Sequence, residues 1–154
     1  METESLMIKI RDMNADDVTE VMKIERASFN EPWAEIHFYF DLYSKVSYNW
    51  VAVNKDELYA YICFWKIKDE MHINNIAVKE ANRKQGIAQK LLDKLTNFAR
   101  KSNMKKMTLE VNEYNMSARA FYKKNGFMEV GRRPKYYEHD QADALILTKG
   151  LETK

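Results

Sequence analysis

The sequence predicts one α/β domain built on a mixed, mostly antiparallel β-sheet flanked by about four helices. Three observations carry that expectation. The hydrophobic period switches repeatedly between strand and helix spacing, in the order β-α-α-β-β-β-α-β-α-β-β. An apolar strand-like run at 73–78 leads through Arg83-Lys84-Gln85-Gly86-Ile87-Ala88 straight into an amphipathic helix. The length of 154 residues, 45% hydrophobic and 31% charged, suits one domain with a substantial core. No internal repeat, linker or low-complexity segment divides it, so residues 1–154 are read as a single domain.

Each element has a local reason. Residues 6–13 alternate as a strand, with Met7, Lys9 and Arg11 facing away from Leu6, Ile8 and Ile10. Asn14 caps a helix, helped by Asp17 three positions on and by acidic charge in the first turn. Val18, Val21, Met22 and residues 24–29 carry its apolar face. Pro32 disfavours helix in the residue before it, so Phe29-Asn30-Glu31-Pro32-Trp33 breaks the run. Residues 36–42 form a second, aromatic-rich helix. Strands at 49–53 and 57–67 are joined by the Asn54-Lys55-Asp56 turn, and 70–78 is the next strand.

Beyond Gly86, the residues Ile87, Leu91, Leu92, Leu95, Phe98 and Ala99 fall on one helical face. Met107, Leu109 and Val111 then alternate with Thr108, Glu110 and Asn112, the period of a strand buried on one side. Asn115 caps a short helix carrying Ala118, Phe121 and Tyr122, closed by Asn125-Gly126. Two last strands, 127–133 and 142–148, flank a loop at 134–141.

Composition narrows the function. A net charge of +2 is too small to predict direct nucleic-acid binding. The single cysteine, Cys63, sits in an apolar run, which leaves no internal disulfide framework and suits a reducing compartment. His37, His72 and His139 are scattered without metal-ligand spacing, so no metal is expected. The N-terminal stretch is acidic and lacks a signal-type apolar region, and no run approaches a membrane span. A cytoplasmic protein is expected, with no membrane contact, as a monomer or weak dimer.

The junction at 83–92 carries the first chemical signal. A helix N-terminus with free N–H groups and a dipole of roughly half a positive charge favours a phosphate or pyrophosphate. Gly86 and Ala88 leave the backbone accessible, while Arg83 and Lys84 add full positive charges. Neither G-x-x-x-x-G-K-[ST] nor G-x-G-x-x-G is present. Glu110 is a carboxylate on the polar side of its strand, and Tyr122 is a protonated phenol in the following helix. His72 shares a strand face with Asn74 and Ile76. Each has an ordinary reading too: a solvated strand charge, a core tyrosine and a structural histidine.

Taken together, Asn75-Ile76-Ala77-Val78, the R-x-x-G-x-A junction, Leu109-Glu110-Val111 and then Asn115, Ala120, Tyr122 and Gly126-Phe127 resemble the GNAT family of N-acetyltransferases over nearly the whole chain. Lys135-Tyr136-Tyr137 followed by Asp143-Ala144 resembles its protein N-terminal acetyltransferase branch. The resemblance implies the GNAT acyl-CoA N-acyltransferase fold and acetyl-CoA as cosubstrate. Ile76, Ala77 and Val78 would grip the acetyl-pantetheine arm, and Arg83, Lys84, Gln85, Gly86, Ile87, Ala88 and Gln89 would hold the pyrophosphate. Asn115 would contact the cosubstrate. It implies Glu110 as base and Tyr122 as acid, with His72 as the base of archaeal and eukaryotic members. Phe29, Glu31, Tyr136 and Tyr137 would line the site for a protein N-terminus, on a ribosomal or other nascent chain, with a first residue such as Ala, Ser or Met. A GNAT acting on lysine or small amines, a non-catalytic acyl-CoA-binding module and a pure interaction protein are the rival readings.

Overall fold

The structure is a computed structural model and describes residues 7–151. Its elements follow the predicted order. Strand β1 (Lys9–Asp12) is followed by helices α1 (Val18–Ser28) and α2 (Glu35–Leu42). Strands β2 (Ser47–Asn54), β3 (Glu57–Ile67) and β4 (Glu70–Val78) come next, then helix α3 (Ile87–Lys101), strand β5 (Lys106–Asn112), helix α4 (Met116–Lys124) and strands β6 (Met128–Tyr137) and β7 (Ala142–Gly150). Seven strands form one sheet in the order β1-β2-β3-β4-β5-β7-β6. Strand β4 runs parallel to β5, whereas β1–β2, β5–β7 and β6–β7 are antiparallel. The two-residue connections after Asn54 and Ile67 fit only hairpins, and Lys55 and Lys68 take positive φ there (54° each).

Two compact units share the chain. One comprises residues up to 63 together with 75–94, and the other comprises 64–74 together with 95 onward. In the first, Val18, Val21, Met22 and Ile24 of α1 pack with Phe38, Val51, Val53, Leu58, Tyr61, Cys63 and Ala77. Phe38 meets Tyr61 edge-on with ring centroids 5.8 Å apart. The predicted face of α3 is buried at Ile87, Leu91, Leu92, Leu95 and Ala99, and Cys63 is a core residue. In the second unit, Met107, Leu109 and Val111 are buried while Thr108, Glu110 and Asn112 on the other side of β5 are half-exposed.

The start of α1 shows the reciprocal cap expected of Asn14 and Asp17. Asn14 Oδ1 accepts from the Asp16 N–H, and Asp17 Oδ2 accepts from the Asn14 N–H, each at 2.9 Å. A short 3-10 turn at Ala15–Asp17 precedes the α-helix. Arg11 adds a two-pronged ion pair to Asp17 at 2.8 and 2.9 Å. Burial opposes ionisation of Asp17, and its hydrogen bonds to Arg11 and Asn14 outweigh that effect, so its carboxyl lies below its ordinary range. A lowered folded-state pKa adds stability above the ordinary carboxylate range, which is lost as pH falls through the folded value. Asp17→Ala should therefore cost about 1–2 kcal/mol at pH 7. Urea denaturation should show the gap from wild type shrinking at pH 3.

Three expectations are corrected. The first strand is shorter than 6–13: its ladder begins at Lys9↔Val53, and β2 ends one residue later, so Met7 has no partner strand. Leu6 lies outside the described residues. The second helix and the 49–53 strand extend slightly, to Glu35–Leu42 and Ser47–Asn54. The predicted loop at 134–141 is mostly strand, because β6 continues through Pro134 to Tyr137. Pro134 fits within it because β6 is a sheet edge, where a missing N–H costs no ladder bond. A register shift between Arg133 and Tyr137, with Lys135 at φ 49°, absorbs the irregularity.

Candidate active site

The predicted residues divide between the two units. Phe29, Glu31, Ile76, Ala77, Val78 and the 83–89 loop belong to the first. His72, Glu110, Asn115, Tyr122, Tyr136 and Tyr137 belong to the second.

In the first unit, the junction before α3 has the backbone its sequence suggested. Lys84 and Gly86 both take positive φ, 63° and 80°, which turns the chain sharply into the helix. Such turns gather successive N–H groups into an anion-binding concavity. The first helical bond runs from the Lys90 N–H to the Gly86 carbonyl at 3.1 Å, so the N–H groups of Gly86, Ile87 and Ala88 precede the helical ladder. A Cβ placed on Gly86 would meet no protein atom within 4 Å. That open space over a positive-φ glycine is what an approaching pyrophosphate needs.

Arg83 turns out to brace this loop. Its Nε donates to the Val78 carbonyl at 3.1 Å and its Nη2 to Ser28 Oγ at 3.2 Å. Lys84 and Gln85 are exposed, and the Gln89 amide donates to Asp93 at 2.8 Å. Ile76, Ala77 and Val78 end a strand whose ladder with β5 covers only residues 70–73. Backbone groups at 74–78 on that side lie outside the ladder. Phe29 ends α1 and packs on the core of its unit, and Glu31 is exposed in the loop that follows.

In the second unit, Glu110 projects from β5 on the side away from the core. Its Oε1 pairs with Arg133 Nε at 3.1 Å, and its Oε2 is buried without a hydrogen-bond partner among the described residues. An unpartnered buried acceptor of this kind costs about 1–3 kcal/mol. An ammonium, an amine or a water that donates to it relieves that cost. Sequence reasoning missed Arg133, which reaches Glu110 across the intervening β7: Glu110 pairs with Ile146 and Arg133 with Ala144.

His72 lies opposite Thr108, two positions before Glu110 on the same side, with its ring 5.8 Å from that of Trp65. That diagonal is about 8 Å between Cα positions, within reach of long side chains or of one bridging water. Asn74, one position past the end of that ladder, carries a second buried group without a partner among the described residues, its Nδ2. It was noted in the sequence only as a neighbour of His72.

Tyr122 is held by the end of α4. Gly126 takes φ 91°, the Phe127 N–H donates to the Tyr122 carbonyl at 3.0 Å, and the Gly126 N–H donates to Lys123 at 3.1 Å. This is a Schellman closure, and its apolar contact is the Tyr122–Phe127 ring pair at 5.3 Å. Burial raises the Tyr122 pKa, so the phenol is neutral across the physiological range. Asn115 caps the other end of α4, its Oδ1 accepting from the Ala118 N–H at 3.1 Å. Its Nδ2 is the side-chain donor not used in that cap. Tyr136 and Tyr137 stand edge-to-face at 5.1 Å on the distorted end of β6. Asp143 Oδ1 accepts from the Lys135 N–H at 2.9 Å and fixes that distortion.

Among the described residues, no three His, Cys, Asp or Glu side chains gather as metal ligands, and no helix is long and apolar enough to cross a membrane.

Comparison with known proteins gives the family. A Bacillus subtilis protein, named provisionally as a ribosomal-protein-bS18-alanine N-acetyltransferase, is 32% identical over 139 residues, covering 90% of this chain and 92% of its own. The crystal structure of the ribosomal-protein-S18-alanine N-acetyltransferase from Escherichia coli superposes with TM-score 0.88 at 26% identity, covering 96% of each chain. That of Ard1 from Thermoplasma volcanium gives 0.87 at 26% identity, covering 95% of this chain and 99% of its own. The Acetyltransferase (GNAT) family model matches residues 18–127, from the start of α1 to the closure of α4, and the chain belongs to that family.

Proposed function

We propose that this protein is an N-terminal acetyltransferase, moving acetyl from acetyl-CoA directly to the α-amine of a protein chain end. The observation that carries the reading is the arrangement at Glu110: one oxygen is tied to Arg133 and the other is buried and unpartnered. The near full-length likeness to alanine N-acetyltransferases supports the same acceptor.

Bound acetyl-CoA supplies a thioester carbonyl and a thiolate leaving group. Gly86, Ile87 and Ala88 present backbone N–H groups to its pyrophosphate, with Lys84 beside them. Residues 76–78 offer strand backbone to its arm, and Asn115 offers Nδ2. Glu110 Oε2 takes the proton that the amine loses as the C–N bond forms, directly or through one water shared with His72. Tyr122 donates a hydrogen bond to the sulfur as the C–S bond breaks. Because burial raises its pKa, complete proton transfer to an ordinary thiolate runs uphill, so the thiolate takes its proton from solvent. Cys63 is fully buried in the core and forms no acyl-enzyme.

Proton energetics favour an N-terminus over lysine. An α-amine titrates near ~7.8 and a lysine near ~10.4, a gap of about 2.5 units or ~3.4 kcal/mol. At pH 7 roughly a tenth of α-amines are already neutral, against fewer than about one in a thousand lysines. A base that acts through water suffices for the former. Phe29, Glu31, Tyr136 and Tyr137 are the residues we assign to the chain end, with Ala, Ser or Met first. Ribosomal or other nascent chains in the cytoplasm are the substrate class, and the enzyme works as a monomer or weak dimer.

Steady-state kinetics with acetyl-CoA and short Ala-, Ser- and Met-initiated peptides test the reading. Tyr137→Ala should raise the peptide KM by about tenfold through loss of a hydroxyl donor and ring contact. The acetyl-CoA KM should stay within about twofold of wild type. Equal changes in both constants would remove Tyr137 from the peptide site.

A further inference from the structure

A second carboxylate in the chain is more deeply buried than Glu110. Glu25, in the last turns of α1, is only 1% exposed. Three groups from three other segments donate to it. The Tyr61 hydroxyl of β3 donates to its Oε1, and Asn75 Nδ2 of β4 donates to the same oxygen at 2.5 Å. The backbone N–H of Trp33 donates to its Oε2 at 2.9 Å. All four residues belong to the first unit. Every partner donates to it, the set an ionised carboxylate satisfies in full and an amide meets only if Tyr61 and Asn75 both turn to accept.

The chemistry of this cluster is out of proportion to packing alone. A buried carboxylate loses hydration that an apolar side chain of similar volume would not, and such replacements are often neutral or stabilising. What Glu25 does provide is a fixed distance between segments. Trp33 closes the Phe29–Trp33 loop, which carries Phe29 and Glu31 and has no helix or strand of its own. Asn75 immediately precedes the 76–78 backbone that we assign to the acyl arm. Glu25 grips both through Trp33 N–H and Asn75 Nδ2.

We propose that Glu25 is a positioning residue for substrate selection, holding the loop of Phe29 and Glu31 in register with the Asn75 end of β4. The inference rests on the N-terminal acetyltransferase reading. It predicts that weakening this grip changes how the peptide is bound, with little effect on acetyl-CoA.

Glu25→Gln separates the two ends of the grip. Gln matches the shape of Glu, and its oxygen can still accept from Tyr61 and Asn75. Two core donors against one keep that oxygen inward, so the NH2 faces the Trp33 N–H, donor against donor, and the loop is released while the core contacts persist. Losing a charge-assisted bond of this kind should raise the peptide KM by about tenfold or more. The acetyl-CoA KM should stay within about twofold, and discrimination among first residues should flatten. Tyr61→Phe removes a donor on the core side only and should leave the peptide KM within about twofold of wild type. Hydrogen exchange of the Trp33 amide, measured without substrate, should quicken in Glu25→Gln and not in Tyr61→Phe.

Should Glu25→Gln fail to fold, Trp33→Pro and Trp33→Ala decide the matter. Both lose the indole, and only the proline variant loses the N–H. The peptide KM of Trp33→Pro should exceed that of Trp33→Ala by about fivefold or more. A folded Glu25→Gln enzyme with unchanged peptide KM, equal increases in both KM values, or indistinguishable Trp33 variants would overturn the proposal. A wild-type enzyme that acetylates no peptide end would overturn the functional reading itself, and this inference with it.

Discussion

Glu110→Gln should lower kcat by about 10²-fold or more, the scale on which a general base acts. The substitution keeps the side-chain volume and a carbonyl oxygen that can still accept from Arg133 Nε. It replaces the buried, unpartnered Oε2 with an NH2 that cannot take a proton. Stability should change little, because the fold already carries that unsatisfied acceptor. Tyr122→Phe should also lower kcat, leaving the acetyl-CoA KM nearly unchanged, since it removes only the hydroxyl we assign to the leaving sulfur. His72 provides the internal alternative. If the imidazole takes the amine proton, Glu110→Gln will be mild and His72→Ala severe. A pH–rate profile of each variant distinguishes them. Near wild-type rates in both single variants and in the double variant would remove this mechanism.

Gly86→Val should weaken acetyl-CoA binding by about a hundredfold or more. Two or three charge-assisted hydrogen bonds at ~1.5–3 kcal/mol each are at stake in the loop. The physical cause has two parts. A φ of 80° is strained for any branched residue, so the loop relaxes away from the geometry that gathers its N–H groups. A valine side chain would also project into space now open for at least 4 Å around the Cβ position, where the phosphates would approach. Nothing in the protein clashes there, so the fold should survive and the loss should appear as ligand affinity. Calorimetric titration measures it. Binding within about threefold of wild type by a folded variant would refute the loop assignment.

Much of this was legible in the chain because its causes are local. The alternation of Met107, Leu109 and Val111 with Glu110 survives as a buried and a half-exposed side of β5. Asn14 with Asp17, Asn115 with its helix, and Asn125-Gly126 each form the cap their side chains dictate. Gly86 was legible as a turn because only glycine takes that backbone cheaply.

What escaped the sequence is what the sheet assembles from distant positions. Arg133 meets Glu110 because β7 inserts between their strands, an order no local period encodes. Glu25 stood within the 24–29 stretch of the apolar helical face, with no local sign of what would bind its carboxylate. Its partners Tyr61 and Asn75 lie 36 and 50 positions away, and only the folded chain supplies the donors that hold it. The run of β6 through Pro134 to Tyr137 escaped likewise, because only its place at the sheet edge lets a proline stand within a strand.

The central claim is the acceptor, and one measurement addresses it most directly. A single lysine-containing peptide beginning with Ala is offered in two forms, with its N-terminus free or chemically blocked, and mass spectrometry locates the acetyl group after reaction with acetyl-CoA. The free form should be acetylated at the α-amine, with little reaction of the blocked form. Efficient acetylation of the blocked form on lysine, with the free α-amine ignored, would contradict it and move this protein to the lysine-directed members of its family.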